Sequence, residues 1–304
     1  MMTRTATTVW FDGHLLDDDQ LHLHALTHAL HYGSSVFEGI RVYPTPRGPA
    51  IFRLREHVDR LVTGAQAYGM ELPYDADALS KAIIDTVRAS GRDAAYVRPL
   101  VFFGGETVRL NPGRECAAHV LIAVLPFEGL FVGGVAKLSA TISPFMKTPS
   151  RSLPSTVKAG GHYTNSIRAL AEAHKRGFDE TILRNDRGDV AEGSGENIFV
   201  VRDGVLITND TDADILPGIT RASVLALARE AGITTRVRPL TLEDLQLCEE
   251  AFFTGTAAEV VPISRVDERI FEAEGPITAR LRVAYHDVVR GVRDAPGPWL
   301  TQVS

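Results

Sequence analysis

The chain has 304 residues, 44% of them apolar and 23% charged, a balance typical of globular proteins that excludes long disorder and collagen-like structure. Lysine and arginine number 32 against 38 aspartates and glutamates, a net charge of −6, which argues against a dominant basic face for nucleic acid. No apolar run reaches the ~18 residues of a membrane span; the best, 117–125, contains His119 and stops at Pro126.

Residues 7–11 read as a strand turning at Asp12-Gly13, with no secretory core before it, and the His-rich stretch 19–31 as partly helical. Val58, Leu61, Val62, Ala65 and Tyr68 recur on one face of a helix over 56–68. A second helix is predicted from near Asp77, burying Leu79, Ala82, Ile83 and Val87 and stopping at Gly91. Two β-rich runs follow, 95–103 and 119–125. Pro and Gly then bracket Phe127, Leu130 and Phe131, and a domain boundary is placed there. The expected division is a smaller N-terminal α/β domain over 1–125, a linker over 126–135 and a larger C-terminal domain over 136–304.

The second domain is expected to open with a strand over 136–142, an irregular segment over 143–156 and a helix over 165–175. Turns at 185–188 and 202–204 separate short strands, and Leu216-Pro217-Gly218 breaks the chain before a helix that ends at Gly232. Strands near 234–238, 251–254 and 260–266 precede a final helix from Pro276 to about Gly291. The class is α/β. Only Cys116 and Cys248 are present, without C-x-x-C spacing, so a disulfide framework or zinc cluster has no support and a cytoplasmic protein is expected.

Four segments carry chemistry. Lys158 follows the β-branched Thr156-Val157 and precedes Ala159-Gly160-Gly161, glycines that allow close approach of backbone or ligand. In a confined apolar site an amine loses charge stabilisation and attacks carbonyls more readily; alone, the pattern reads more readily as a solvated turn lysine. Ala191-Glu192-Gly193-Ser194-Gly195-Glu196-Asn197 sets two carboxylates among small residues before a strand, which a hairpin carboxylate also explains. Gly218, Ile219 and Thr220 present N–H groups at a helix start, a natural phosphate seat, although capping turns of this kind are common. Thr254-Gly255-Thr256-Ala257 is a further small hydroxyl-bearing loop. Together, an imine-forming lysine, a carboxylate for a pyridinium nitrogen and two phosphate-seating loops are the parts of a pyridoxal-phosphate site.

The ordered set resembles the branched-chain-amino-acid aminotransferases of the fold-type IV pyridoxal-phosphate family over nearly the whole chain. It includes Trp10-Phe11-Asp12-Gly13, the run from His28 through Tyr32-Gly33 and Phe37-Glu38-Gly39-Ile40-Arg41, then Phe52 to His57, Arg60-Leu61 and Tyr96-Val97-Arg98-Pro99, followed by the four segments above. The resemblance implies two α/β domains with the site between them and pyridoxal 5′-phosphate as cofactor. Lys158 is then the amine that condenses with the cofactor aldehyde and shuttles a proton between the substrate α-carbon and C4′. Glu192 pairs with the pyridine nitrogen and Tyr163 with the ring oxygen. Arg60, Gly218, Ile219, Thr220, Gly255 and Thr256 are the expected phosphate holders, guanidinium and helix-start N–H groups being suited to a dianion.

For substrate the resemblance implies an apolar pocket around Phe37, Gly39 and Tyr163, with Tyr32 arriving from a neighbouring subunit of a homo-oligomer that is at least a dimer. Arg41, Tyr96, Arg98 and the Thr256 and Ala257 backbone serve the carboxylate end and the acidic side chain of the alternate substrate. The implied reaction is ping-pong transfer from L-Leu, L-Ile or L-Val to 2-oxoglutarate. A D-amino-acid or (R)-amine transaminase, an aminodeoxychorismate-type lyase and a non-enzymatic cofactor binder are the alternatives; Tyr96-Val97-Arg98 and Arg41 weigh against the first. Glu106 and Arg109 stand where related enzymes are smaller or uncharged, so Arg109 either admits a substrate carboxylate or pairs with Glu106 at the surface. The cluster His22, His24, His28 and His31 lacks an accompanying carboxylate pattern and is expected to pack around the Tyr32 segment rather than hold a metal. No metal, nucleic-acid or membrane partner is expected.

Overall fold

The computed structural model describes residues 7–105, 107–113, 116–127, 137–271 and 274–303. The strands are β1 (Thr8–Phe11), β2 (His14–Asp17), β3 (Ser35–Phe37), β4 (Ile40–Thr45), β5 (Gly48–Phe52), β6 (Ala95–Phe103), β7 (Ala118–Pro126), β8 (Leu138–Met146), β9 (Glu180–Arg184), β10 (Asn197–Arg202), β11 (Val205–Thr208), β12 (Thr235–Val237), β13 (Glu250–Gly255), β14 (Glu259–Val266), β15 (Arg269–Ile270) and β16 (Leu300–Gln302). The helices are α1 (His28–Tyr32), α2 (Leu54–Ala67), α3 (Ala76–Ser90), α4 (Tyr163–Lys175), α5 (Ile219–Glu230), α6 (Leu242–Leu247) and α7 (Pro276–Val289).

Two compact units divide the chain. The first holds Met1–Glu128, Val157–Gly161 and Pro298–Ser304; the second holds Gly129–Thr156 and His162–Gly297. In the first unit the sheet runs β16-β5-β4-β6-β7-β1-β2, with β3 added on β6. On β6, strand alternation buries Ala95, Val97, Pro99 and Val101 and turns Tyr96 and Arg98 together to the other face. Helices α2 and α3 complete the core with Val58, Leu61, Leu79, Ile83 and Val87. The Asp75 carboxylate caps α3 by accepting from the Ala78 N–H, and Gly91 closes it in the left-handed region.

In the second unit the sheet runs β12-β11-β10-β13-β14-β8-β9, with β15 on β14. Parallel pairings join β8 to β9 and to β14, and β11 to β12. Its core gathers Leu138, Ile182, Ile198, Val200, Phe253 and Ile263 among others.

Two short segments depart from the expected division of 1–125 and 136–304. Val157–Gly161 belongs to the first unit because it adds to β3: Val36 bridges Ala159, the Phe37 N–H donates to the Lys158 carbonyl at 3.0 Å, and Val157 and Ala159 enter that unit's core. Pro298–Ser304 belongs there because β16 pairs antiparallel with β5 and Trp299 packs edge-on to Phe52 at 5.8 Å. Of the expected linker, Pro126 ends β7 and Phe127 stacks on Tyr96, whereas 128–135, with Leu130 and Phe131, lies outside the described residues. The segment 143–156, read as irregular, begins as strand, since β8 continues to Met146. Within 19–31 only the stretch from His28 is helical, in α1.

Candidate active site

Lys158 lies at a strand edge with its neighbours Val157 and Ala159 turned into the core, which turns its own side chain to the opposite side. Gly160 is required where it stands: a Cβ there would meet the Ser35 hydroxyl at 2.4 Å. The Lys158 ammonium lies 5.0 Å from the centre of the Phe37 ring, and the Arg98 guanidinium lies 4.7 Å from that same centre. Arg98 Nη2 donates to the Tyr96 hydroxyl at 3.1 Å, Tyr96 stacks on Phe127 at 5.4 Å, and Arg41 covers Phe127 at 4.2 Å and Tyr43 at 4.7 Å. The first unit thus alternates cations and aromatic rings from Lys158 to Arg41. Gly39 borders the row, and a Cβ on it would meet the Tyr96 hydroxyl at 2.0 Å.

Beside this row, α2 buries His57 and, one turn on, presents Arg60 on the same side. Both reach Glu38, which is 1% exposed. His57 Nδ1 is 2.7 Å from Glu38 Oε2, Arg60 Nε donates to Oε1 at 2.6 Å, and Arg60 Nη2 donates to Oε2 at 3.0 Å. Burial alone would raise the Glu38 carboxyl, but Arg60 and His57 hold it far below the usual carboxylate range. Burial pushes the His57 imidazole down, against the pull of Glu38, and the Lys158 charge adds to that push.

In the second unit the Glu192 carboxylate is buried and fully engaged on one oxygen. Oε2 accepts from Asn197 Nδ2 at 3.1 Å and from the Leu216 N–H at 3.0 Å; Oε1 lies 2.6 Å from Lys147 Nζ. The loop that follows is fixed by Glu180, whose Oε1 accepts from the Ser194 N–H and Oε2 from the Ser194 hydroxyl. Asn197 Nδ2 also donates to the Leu216 carbonyl at 2.9 Å, so it ties Glu192 to the Leu216-Pro217-Gly218 breaker. Gly218 leaves no room for a side chain: a Cβ would meet Asn197 Oδ1 at 2.0 Å. Gly255 ends β13, Thr256 and Ala257 follow it, and all three are half-buried, as is Tyr163 at the start of α4.

The residues of the second unit fit the cofactor that the resemblance implies. No side chain caps α5, whose Ncap Gly218 has extended backbone, so the first N–H groups, those of Ile219 and Thr220, lie at the positive helix end without an intrahelical acceptor. The buried Thr254 hydroxyl, next to Gly255, has no hydrogen-bond partner. An uncapped helix start and an unsatisfied hydroxyl suit a phosphate, and a buried carboxylate suits a cationic ring nitrogen.

Of the residues singled out in the sequence, Tyr32, Arg109 and the histidines at 22, 24, 28 and 31 lie outside these two sets. Tyr32 is exposed and donates to the Val108 carbonyl at 2.6 Å, with His28 packed against its ring at 4.7 Å. The Arg109 carbonyl lies 3.1 Å from His28 Nε2, and Glu106 lies outside the described residues. His22 and His24 are exposed and His28 is buried. In the sequence Glu38, His57 and Asn197 figure only as parts of longer motifs, with no role of their own, and Lys147 not at all. Spacing of three between His57 and Arg60 on a predicted helix was a legible signal for the first pair; Lys147, in a stretch read as irregular, offered none.

Comparison with known proteins places these sets in context. Residues 35–266 match the family model for amino-transferase class IV. A branched-chain-amino-acid aminotransferase of Pseudomonas aeruginosa is 42% identical over 300 residues, 97% of each chain. The crystal structure of the Escherichia coli branched-chain amino acid aminotransferase superposes with a TM-score of 0.95 at 38% identity, covering 99% of this chain and 100% of the other. A branched-chain amino acid aminotransferase from Thermobaculum terrenum, solved in its PLP-form, gives a TM-score of 0.90 at 32% identity, covering 98% of this chain and 99% of the other.

Proposed function

The chain belongs to the amino-transferase class IV family and is an aminotransferase, and from that premise we propose that it moves the amino group of L-leucine, L-isoleucine or L-valine to 2-oxoglutarate in two half-reactions. Pyridoxal 5′-phosphate, when bound, supplies an aldehyde to exchange for the amine and a ring that takes up electrons. Arg60, Gly218, Ile219, Thr220, Gly255 and Thr256 would hold its phosphate, Glu192 its ring nitrogen and Tyr163 its ring oxygen. Lys158 would anchor its aldehyde carbon and, when free, move the proton at the substrate Cα.

The carrying observation is the Phe37 ring with the Lys158 amine and the Arg98 guanidinium each within 5.0 Å of its centre. An apolar ring beside an amine accommodates a branched side chain, and the guanidinium over the same ring accommodates a carboxylate. Gly39 leaves room for the Tyr96 hydroxyl, Tyr96 accepts from Arg98, and Arg41 extends the cationic border. Thr256 and Ala257 would offer backbone N–H groups to the substrate α-carboxylate. Such a pocket takes leucine in one half-reaction and glutamate in the other without rebuilding.

We further propose a cytoplasmic homo-oligomer, at least a dimer, in which Tyr32 of one copy enters the neighbour's site. Tyr32, Leu30, Val108 and Leu110 are exposed apolar or aromatic residues, a composition suited to contact with another protein surface. Cys116 and Cys248 are free and buried, in keeping with a reducing compartment. Among the described residues no helix is long and apolar enough to cross a membrane.

The test is spectroscopic. Holoenzyme mixed in turn with L-leucine, L-glutamate, D-alanine and an (R)-amine should lose its visible absorbance with the first two. Bleaching by D-alanine or the amine but not by L-leucine overturns the substrate reading. Borohydride reduction followed by peptide mapping should find the pyridoxyl group on Lys158.

A further inference from the structure

Lys147 and Glu192 arrive at one point from different parts of the chain. The Lys147 N–H donates to the Arg184 carbonyl at 2.7 Å, just past the end of β8, and the Leu183 N–H donates to the Glu192 carbonyl at 2.8 Å. Adjacent residues of β9 therefore hold both backbones. The carbonyl before Lys147, that of Met146, accepts from Asn165 Nδ2 at 2.9 Å, which ties the end of β8 to the first turn of α4, the turn that carries Tyr163. The side chains close the arrangement: Lys147 Nζ lies 2.6 Å from Glu192 Oε1, with the two side chains only 16% and 8% exposed.

A carboxylate has about four acceptor sites, two on each oxygen. Asn197 Nδ2 and the Leu216 N–H occupy both on Oε2. Lys147 occupies one on Oε1. One acceptor direction remains, and it lies on the oxygen that the lysine holds. A short ion pair between a half-buried lysine and a buried carboxylate is charge-assisted and directional, so it adds a third restraint, on Oε1, to the two hydrogen bonds that hold Oε2.

We propose that Lys147 is a positioning residue for the cofactor ring: it sets the orientation of Glu192 so that the remaining acceptor site of Oε1 receives the pyridinium N–H. This rests on the assignment of Glu192 to the ring nitrogen. Burial, and after it the Lys147 charge, push the half-buried His162, the residue preceding Tyr163, below its usual range. Lys147 thereby acts on Glu192 and on the residue next to Tyr163.

The experiment is a double-mutant cycle on cofactor affinity, read by the absorbance of bound pyridoxal 5′-phosphate during titration of the resolved enzyme. Lys147→Met should raise the dissociation constant roughly tenfold, the low end for losing one charge-assisted hydrogen bond. Lys147→Arg should restore it to within about threefold, because the guanidinium keeps the charge. In a Glu192→Gln background the Lys147→Met change should add less than about threefold, since a residue acting through Glu192 has nothing left to position. The same titration gives the pH midpoint of the bound cofactor's spectrum, which Lys147→Met should shift and Lys147→Arg should not. Unchanged affinity in Lys147→Met, or effects that multiply in the double variant, overturns the proposal. If Lys147→Met prevents folding while Lys147→Arg permits it, the lysine serves folding and the proposal also falls. Borohydride labelling of Lys158 in the unaltered enzyme separates this outcome from a failure of the functional reading: no label there removes the cofactor site itself.

Discussion

The Arg60 guanidinium grips Glu38 with two nitrogens, Nε at 2.6 Å from Oε1 and Nη2 at 3.0 Å from Oε2, and in doing so gives up its freedom to follow solvent. An arginine expected to meet a phosphate is therefore aimed by a carboxylate that is itself buried. Removing that carboxylate leaves His57 and Arg60 without their shared partner. Glu38→Ala should destabilise the first unit by about 3–5 kcal/mol, the range for breaking a buried pair, and weaken cofactor retention in parallel. Urea unfolding and cofactor titration on the same samples check both effects.

The same triad fixes the direction of the acid response. The folded Glu38 carboxyl lies below its ordinary value of 4.5, so its contribution is present above that pH and is lost as pH falls through the folded value. His57 also lies below its ordinary 6.5 when folded, so the unfolded chain takes up that proton first and each step below about 6.5 favours unfolding. Both effects have one sign. Unfolding free energy should decline from pH 7.5 to pH 5.5, and His57→Gln should flatten that decline. A variant with the wild-type slope would remove His57 from the explanation.

Gly39 offers a sharper steric test. A methyl group there would meet the Tyr96 hydroxyl at 2.0 Å and its ring carbon at 2.7 Å. Tyr96 must swing away, and Arg98, which donates to that hydroxyl, loses its partner. Gly39→Ala should lower kcat/KM for L-leucine by about tenfold or more while costing stability only about 1–3 kcal/mol, as overpacking does. Tyr96→Phe in the same chain should recover part of the loss, because it removes the nearest atom. Steady-state kinetics of the single and double variants decide it.

Arg98 should divide the two substrates. Its guanidinium lies 4.7 Å from the Phe37 ring centre, so it contributes packing as well as charge. Arg98→Met keeps the packing and deletes the charge. The rate with L-glutamate or 2-oxoglutarate should fall about 100-fold, some 2–3 kcal/mol for one buried charge-assisted contact, with a much smaller change for L-leucine. Equal losses for both substrates would assign Arg98 to architecture.

Much of the fold was legible because its signals are local. The apolar stripe of α3 and the capping Asp75 and Gly91 lie within one window, and β6 begins and ends where its β-rich run does. What escaped depends on distant pairing. Nothing near Val157 announces that it joins β3, and nothing near Leu300 announces β5; each is a backbone pairing across more than a hundred residues. Lys158 and Glu192 stand out by their glycine-rich settings, whereas Lys147 follows Phe145-Met146 with no glycine beside it and becomes informative only beside Glu192. Glycines report close approach, and charges report nothing until their partners are known.

Gly218 joins those two kinds of signal. Its backbone passes so near Asn197 that a Cβ would meet Oδ1 at 2.0 Å, and Asn197 Nδ2 in turn binds both Glu192 Oε2 and the Leu216 carbonyl. Gly218→Ala must displace Asn197, which releases one donor from Glu192 and disturbs the start of α5 at the same time. The expected result is a fall in cofactor affinity of roughly tenfold or more from the lost contacts, with far-UV circular dichroism unchanged because α5 retains its internal bonds. Asn197→Ala removes the obstruction and the donor together, so it should weaken affinity by itself yet make the further Gly218→Ala change nearly silent. Independent, multiplicative effects of the two substitutions would show that Gly218 acts on the phosphate seat alone and not through Asn197.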